Sequence, residues 1–223
     1  MAEIEMIKYY DRLNNRLVFI GKAAESDYWD KHWQSENFER LLKVRNNRFI
    51  VSNTQRYLLQ DAKILEGGCG RGDKMYALFS HGYDVYGVDY AKDTVENINC
   101  YAPELKVALG DVRELNFEDG FFDGYWSLGV IEHFYDGYDS ILREAYRVLK
   151  KGGYFFVTVP VISWLRRQKV RMGKYSEYNE SENIKERFFQ FAFDSKQLIK
   201  HFHAKNFKLV KSEPIDGIKG LKD

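Results

Sequence analysis

A short apolar run, Ile64-Leu65, breaks at Glu66 into Gly67-Gly68-Cys69-Gly70-Arg71-Gly72, so that glycines stand at 68, 70 and 72. A strand that runs into glycines and then opens a helix lets a ligand sit almost on the backbone, because no Cβ intervenes. The helix beginning near Asp73 would aim its free N–H groups at the same spot. A dinucleotide fingerprint needs Gly-x-Gly-x-x-Gly. Counted from Gly68 the third glycine falls on Asp73, and counted from Gly70 it falls on Met75. That pattern fails. A nucleoside without a pyrophosphate fits the turn better.

Further strand ends beyond the turn narrow the reading. Val85-Tyr86-Gly87-Val88-Asp89 reads as a second buried strand ending in an acid, 17 residues after Gly72. An acid about 20 residues beyond a glycine loop is where nucleoside-binding α/β folds grip the ribose diol. A carboxylate there accepts both hydroxyl protons, a charge-assisted pairing stronger than a neutral one. Val107 to Val112 gives a third strand end with a second acid, Asp111, and Phe122 to Leu128 gives a fourth, carrying Ser127. Arg147-Val148-Leu149-Lys150-Lys151-Gly152-Gly153 leads into a fifth. The predicted order is strand 63–66, helix 73–81, strand 84–89, helix 92–101, strand 105–110, strand 121–128, helix 137–150 and strand 153–159. Such alternation means a mostly parallel sheet with helices on both faces. Glu66, Asp89, Asp111 and Ser127 all fall at strand carboxyl ends, where these sheets bind ligands at the topological switch point.

These five ordered motifs, spread over roughly residues 60–160, resemble those of the class I S-adenosylmethionine-dependent methyltransferases. The glycine turn is similar to the family's first motif, and Arg147 to Gly153 follows its R-V-L-K-x-G-G turn closely. The resemblance implies a doubly wound, Rossmann-like α/β fold and S-adenosylmethionine as cofactor. It further implies that Glu66, Gly67, Gly68, Cys69, Gly70, Asp89, Tyr90, Asp111, Val112 and Ser127 hold that cofactor, with Asp111 and its neighbour beside the adenine. The chain then reads as one methyltransferase domain over 1–223. Within it, 1–60 is a helical cover, 61–160 the cofactor-binding core, 161–193 an insertion after the fifth strand, and 194–223 a C-terminal helix and strand.

Residues 1 to about 60 carry no strand pattern and predict helices over 26–34 and 38–59. Trp29 and Trp33 lie four apart, on one face of the first. After Pro160 a basic stretch brings Arg166, Arg167, Lys169, Arg171 and Lys174. Phe189, Phe191 and Phe193 then alternate onto one face of a strand, before a capped helix over 194–205 and a strand over 207–213. The tail from Ile215 is too polar and glycine-broken to read as a seventh strand. In the family such insertions cover the acceptor pocket, which makes Trp29, Trp33, Arg166 and Arg167 the acceptor-side candidates. The basic stretch reads either as a solvated helix or as a grip on an anionic acceptor or a membrane surface.

The chemistry asks little of side chains. A sulfonium methyl is already activated, so transfer is a direct displacement that needs in-line approach. For an oxygen acceptor a base helps by about a hundredfold. His133, in Gly129-Val130-Ile131-Glu132-His133, is the catalytic candidate, the alternative being a histidine that only bonds backbone. Family members that bind a divalent metal here carry a Glu where this chain has Gly129, so no metal is expected. Two cysteines, Cys69 and Cys100, build neither a disulfide framework nor a zinc site. A net charge of +1 draws the chain to no polyanion, and nucleic-acid signatures are missing, so no nucleic-acid partner is expected. The acceptor is then a small molecule, or a saccharide or lipid-linked hydroxyl, and peripheral membrane contact is one option. Acids at Glu3 and Glu5, with no basic or apolar leader, point to the cytoplasm or the inner membrane surface. The sequence sets no oligomeric state. Two alternatives stand beside methyl transfer: a non-catalytic cofactor-binding partner subunit, and an enzyme that moves another group of the same cofactor.

Overall fold

The computed structural model describes residues 6–21, 23–34 and 37–215. In chain order the elements begin with β1 (Ile7–Asp11), β2 (Arg16–Ile20), α1 (Ser26–Trp33), α2 (Phe38–Leu42) and α3 (Arg48–Tyr57). The alternating stretch comes next: β3 (Lys63–Gly67), α4 (Asp73–Phe79), β4 (Asp84–Asp89), α5 (Lys92–Tyr101), β5 (Lys106–Leu109), β6 (Phe122–Leu128), α6 (Asp139–Val148) and β7 (Leu149–Thr158). Then come α7 (Trp164–Arg171), β8 (Ser176–Glu177), α8 (Glu182–Glu186), β9 (Phe188–Ala192) and α9 (Ser195–Ala204). Contacts divide these into two compact units. One is made of residues 25–131 and 138–158, the other of the stretches up to 24, 132–137 and from 159 onward.

The first unit holds a five-stranded parallel sheet in the order β5-β4-β3-β6-β7. Its alternating strands and helices follow the order expected from the sequence. The chain winds outward in one direction from β3 through β4 to β5, then returns to lay β6 on the other side of β3. The strand order therefore reverses between β3 and β6, which opens a crevice at their carboxyl ends. One face of the sheet buries Ile64 and Trp126 against Leu42, Ile50, Met75, Leu78 and Ile98, from four helices. Trp126 also satisfies its indole N–H on Thr54 Oγ1 at 3.0 Å, so the largest core side chain leaves no buried donor open. Tyr125 and Phe155 pack together, at 5.0 Å between ring centroids, and Ile141, Leu142, Ala145 and Val148 of α6 are fully buried.

The second unit holds a four-stranded sheet in the order β8-β1-β2-β9. A hairpin joins β1 to β2, with Asn15 in the left-handed region at φ 46°. Asp11 closes that turn by accepting from Asn14 and from Arg16 Nε at 2.9 Å. Leu17, Phe19 and Ala192 pack with Ile162, Val170 and Tyr175. None of the described helices is long and apolar enough to cross a membrane.

Four expectations from the sequence are corrected. The helical cover over 1–60 begins instead with the β1–β2 hairpin. The helix expected over 38–59 is two helices, interrupted by residues 43–47, and Asn47 caps the second by accepting from Ile50 N. Residues 207–215 form no strand, and Leu209 and Val210 are exposed. Finally, the face shared by Phe189, Phe191 and Phe193 is broken by a bulge: Val18 faces Phe191 but Ile20 faces Phe188, so Phe189 is the extra residue. Phe188 joins Phe191 instead, at 4.5 Å between ring centroids, while Phe191 and Phe193 keep a contact at 6.0 Å. Glu3, Glu5 and the glycine-broken tail from Gly217 lie outside the described residues.

Candidate functional site

In the first unit the glycine turn leaves the end of β3 with Gly68, Gly70 and Gly72 all at positive φ, 72°, 51° and 77°. L-residues avoid that region because their Cβ crowds the carbonyl oxygen. The turn hangs on β4, since Gly68 N and Cys69 N both donate to Val88 O, at 2.8 and 3.2 Å. Asp89, the last residue of β4, braces it from the other side. Its Oδ2 accepts from Gly70 N at 2.7 Å and its Oδ1 from Ala91 N at 2.9 Å. Burial pushes the Asp89 carboxyl up from its ordinary range, and those N–H bonds pull it back.

The switch point itself carries buried polar atoms. Glu66 is 2% exposed and Ser127 1%, on strands in direct register, with Gly67 opposite Ser127. Glu66 Oε2 and Ser127 Oγ have no hydrogen-bond partner among the described residues. Burial pushes the Glu66 carboxyl up to about 8. Cys69 is fully enclosed, and burial, then the nearby acids, raise its thiol well above the ordinary range, which leaves it inert. Tyr90 is partly exposed, with its carbonyl accepting from Ser26 Oγ at 3.2 Å. Val112 is buried. Asp111 is turned toward Arg113, which holds it by two guanidinium nitrogens, at 2.6 and 3.0 Å, and by its own N–H at 2.8 Å.

Residues 65–157 match the family described as a methyltransferase domain. A protein of Mycolicibacterium smegmatis named "Probable S-adenosylmethionine-dependent methyltransferase" is 33% identical over 141 residues, which is 63% of this chain and 49% of that protein. A ubiquinone biosynthesis O-methyltransferase of Xanthomonas oryzae is 28% identical over 142 residues, 61% of this chain and 57% of that one. The chain thus spans about half the length of the curated relatives it matches. Among solved structures, the 1,6-didemethyltoxoflavin-N1-methyltransferase of Burkholderia thailandensis superposes with a TM-score of 0.61 over 96% of this chain and 94% of that one, at 17% identity. The stretch similar to a methyltransferase domain is the one that holds the glycine turn and the parallel sheet.

The residues of this site fit S-adenosylmethionine. A nucleoside brings donors where Glu66 Oε2 and Ser127 Oγ lack them, and the positive-φ glycines put no side chain of their own on the turn, where Val130 lies against Gly68 and the Trp33 indole against Gly70. Asp89 keeps lone pairs for a ribose diol beyond the two its N–H partners use. Asp111 is less open, since an adenine amine would share it with Arg113.

Helix α1 lies beside the glycine turn. Trp33, read from sequence as acceptor-side, lies on the glycine turn, where a Cβ on Gly70 would come within 2.9 Å of its indole. Trp29 stacks on it at 6.0 Å. Asp30, which sequence reasoning did not single out, ties this helix to the start of α5 by accepting from Thr94 N at 2.9 Å and Thr94 Oγ1 at 2.8 Å. Its signal was present: an acid set between two tryptophans on one short helix.

In the second unit His133 is largely buried, and its Nδ1 lies 2.7 Å from Phe189 O. A carbonyl only accepts, so Nδ1 carries the proton and the basic nitrogen is Nε2. Burial lowers the His133 pKa, and the bond to Phe189 partly offsets this. Glu132 beside it is 2% exposed, and burial pushes it up to about 8. Arg167 is committed to Asp194 at 2.6 Å, while Asp194 also caps α9 by accepting from Gln197 N at 3.0 Å. Arg166 lies over the Phe19 ring at 5.4 Å. Both arginines thus have partners inside the unit.

Raised carboxyls have a consequence for stability. Glu66 and Glu132 favour the fold fully below the ordinary glutamate range of about 4.5, and that contribution is lost as pH rises through about 8. The melting temperature of the ligand-free protein should therefore decline across this window. Glu66→Gln, neutral at every pH, should flatten the decline; a slope unaltered by the substitution would show that Glu66 is ionised in the fold.

Proposed function

We propose that this protein is a methyltransferase that transfers the methyl group of S-adenosylmethionine to a hydroxyl of a small-molecule or saccharide acceptor, with His133 as the base. The observation that supports the cofactor half is the Asp89 carboxylate, fixed beside the glycine turn by the Gly70 and Ala91 N–H groups. When bound, the cofactor supplies a methyl group already activated by its sulfonium. The chain's own residues then bind, align and move one proton. Asp89 takes the ribose hydroxyls, Asp111 and Val112 the adenine side, and Gly68 and Gly70 admit the nucleoside to the backbone. His133, with its Nδ1–H given to Phe189 O, accepts the acceptor's hydroxyl proton at Nε2. An oxygen acceptor accords with the Xanthomonas relative, whose name states O-methylation. An anionic, lipid-linked acceptor has less support, because Arg167 is already paired with Asp194.

The test is methyl-labelled cofactor incubated with fractionated extract, followed by identification of whatever gains the label. S-adenosylhomocysteine as the co-product reports methyl transfer. Methylthioadenosine would instead report transfer of the 3-amino-3-carboxypropyl chain, and cofactor binding with neither product a non-catalytic subunit.

With an acceptor in hand, His133→Ala should lower kcat by about a hundredfold and leave cofactor affinity unchanged. In the unmodified enzyme kcat should climb with pH and level off below the ordinary histidine range, because burial depresses this imidazole. A kcat that His133→Ala does not alter removes His133 from the reaction.

A further inference from the structure

The chemistry above leaves the basic stretch after Pro160 unused. From Val159 to Ser176 the chain holds Arg166, Arg167, Lys169, Arg171 and Lys174 and no acid. Helix α7, within that stretch, is fixed to the second unit along one side. Ser163 caps it by accepting from Arg166 N at 3.3 Å, and Val170 packs against the cluster of Leu17, Phe19 and Ile162. Trp164, Gln168 and Arg171, spaced i, i+4 and i+7, form a stripe along another side, with Met172 next to it. That side is open. Trp164 is 74% exposed and Met172 61%, and Val161 is exposed just before the helix.

Arg171 and Lys174 are exposed too, and neither pairs with an acid among the described residues. Asp194 is taken by Arg167 at 2.6 Å, and Glu177, the next acid along the chain, lies 3.4 Å from Arg12. One exposed apolar side chain is ordinary on a protein surface. An indole, a thioether and two unneutralised cations together suit a flat anionic surface, because tryptophan settles at headgroup level and cations meet the phosphates. A nucleic-acid backbone would use the cations and leave Met172 idle, whereas a bilayer uses both kinds of side chain. We propose that α7 docks this protein on anionic lipid bilayers, with Trp164 and Met172 entering the headgroup layer and Arg171 and Lys174 on the lipid phosphates. Arg166 and Arg167, the acceptor-side candidates from sequence, instead hold the helix to its unit, over the Phe19 ring and on Asp194. The proposal does not depend on the cofactor reading.

Co-sedimentation of the full chain with vesicles tests it, using equal parts of phosphatidylglycerol and phosphatidylcholine in one set and phosphatidylcholine alone in the other. The protein should sediment with the first set and stay in solution with the second. Salt at about 0.5 M should release it, since exposed charges are screened over so short a distance. Arg171→Glu combined with Lys174→Glu should weaken binding by about 30-fold, from about fivefold for each basic residue. Trp164→Ala should weaken it by about tenfold and abolish a blue shift of tryptophan emission that the anionic vesicles induce in the unmodified protein. Lys196→Glu combined with Lys200→Glu, an equal reversal of exposed charge on α9, should change binding by less than about twofold. Melting curves report whether each variant is folded; should the glutamate pair on α7 not fold, the glutamine pair takes its place. Equal binding to both vesicle sets, no binding to either, or a loss as large from the α9 reversal as from the α7 one would each overturn the proposal. So would binding that none of the α7 changes alters.

Discussion

Asp89→Ala is expected to weaken S-adenosylmethionine binding by about 30-fold or more, about 2 kcal/mol, with the heat of binding lost in a calorimeter at moderate protein concentration. Two costs combine. The ribose hydroxyls lose the carboxylate that would accept them, and the turn loses its brace, because Gly70 N and Ala91 N both donate to this side chain. Each is a buried donor, and an orphaned donor costs more than a made bond contributes. Asp89→Asn sharpens the argument. Both oxygens of Asp89 accept an N–H, so an asparagine must set its NH2 against one of those two donors. The isosteric change should therefore be nearly as damaging as alanine. If Asn at this position binds like the unmodified protein, one of the two N–H bonds is not made and the brace is weaker than described. If alanine binds normally as well, Asp89 does not hold the cofactor.

The parallel sheet was legible because four of its strands are short apolar runs stopped by a glycine or an acid, and the fifth runs into Pro160. Buried strands need that pattern whatever surrounds them. Asp89 could be placed by counting from Gly72, since a βαβ unit has little freedom in length. The hairpin β1–β2 was harder, because Ile7-Lys8-Tyr9-Tyr10-Asp11 alternates too weakly to declare a period. Its clue was Asn14-Asn15, a pair that tolerates the left-handed region, and Asn15 does adopt it. Residues 207–213 misled for the opposite reason. Phe207, Leu209 and Val210 have the composition of a strand, but a strand exists only where an edge is available to pair with it, and composition does not report that. The bulge at Phe189 obeys the same logic: one extra residue, set by pairing with β2, reverses the face of everything on one side of it. Side-chain partners at the site lay further beyond reach. That Trp33 would cover Gly70, or that Arg167 would close on Asp194 rather than face an acceptor, depends on contacts between residues far apart in the chain.

Gly68→Ala is expected to destabilise the protein by about 3 kcal/mol. Two terms add. At φ 72° an L-residue pays about 1–2 kcal/mol of backbone strain. A Cβ there would also stand 2.5 Å from Val130 Cγ2, a contact that forces a neighbouring side chain out of place. Gly70→Ala should cost less. It carries similar strain, at φ 51°, but its obstacle is the Trp33 indole at 2.9 Å, on a half-exposed side chain with room to swing away. The swing should appear as a change in tryptophan emission, and Gly70→Val should enlarge it while also barring the cofactor. Gly137 isolates the strain term, since it has φ 98° and nothing within 4 Å of its would-be Cβ. Urea denaturation of the three alanine variants should rank Gly68 well above Gly70, and Gly70 at or slightly above Gly137. Should Gly68→Ala fall no lower than Gly137→Ala, Val130 yields freely, and the turn owes its glycines to backbone conformation alone.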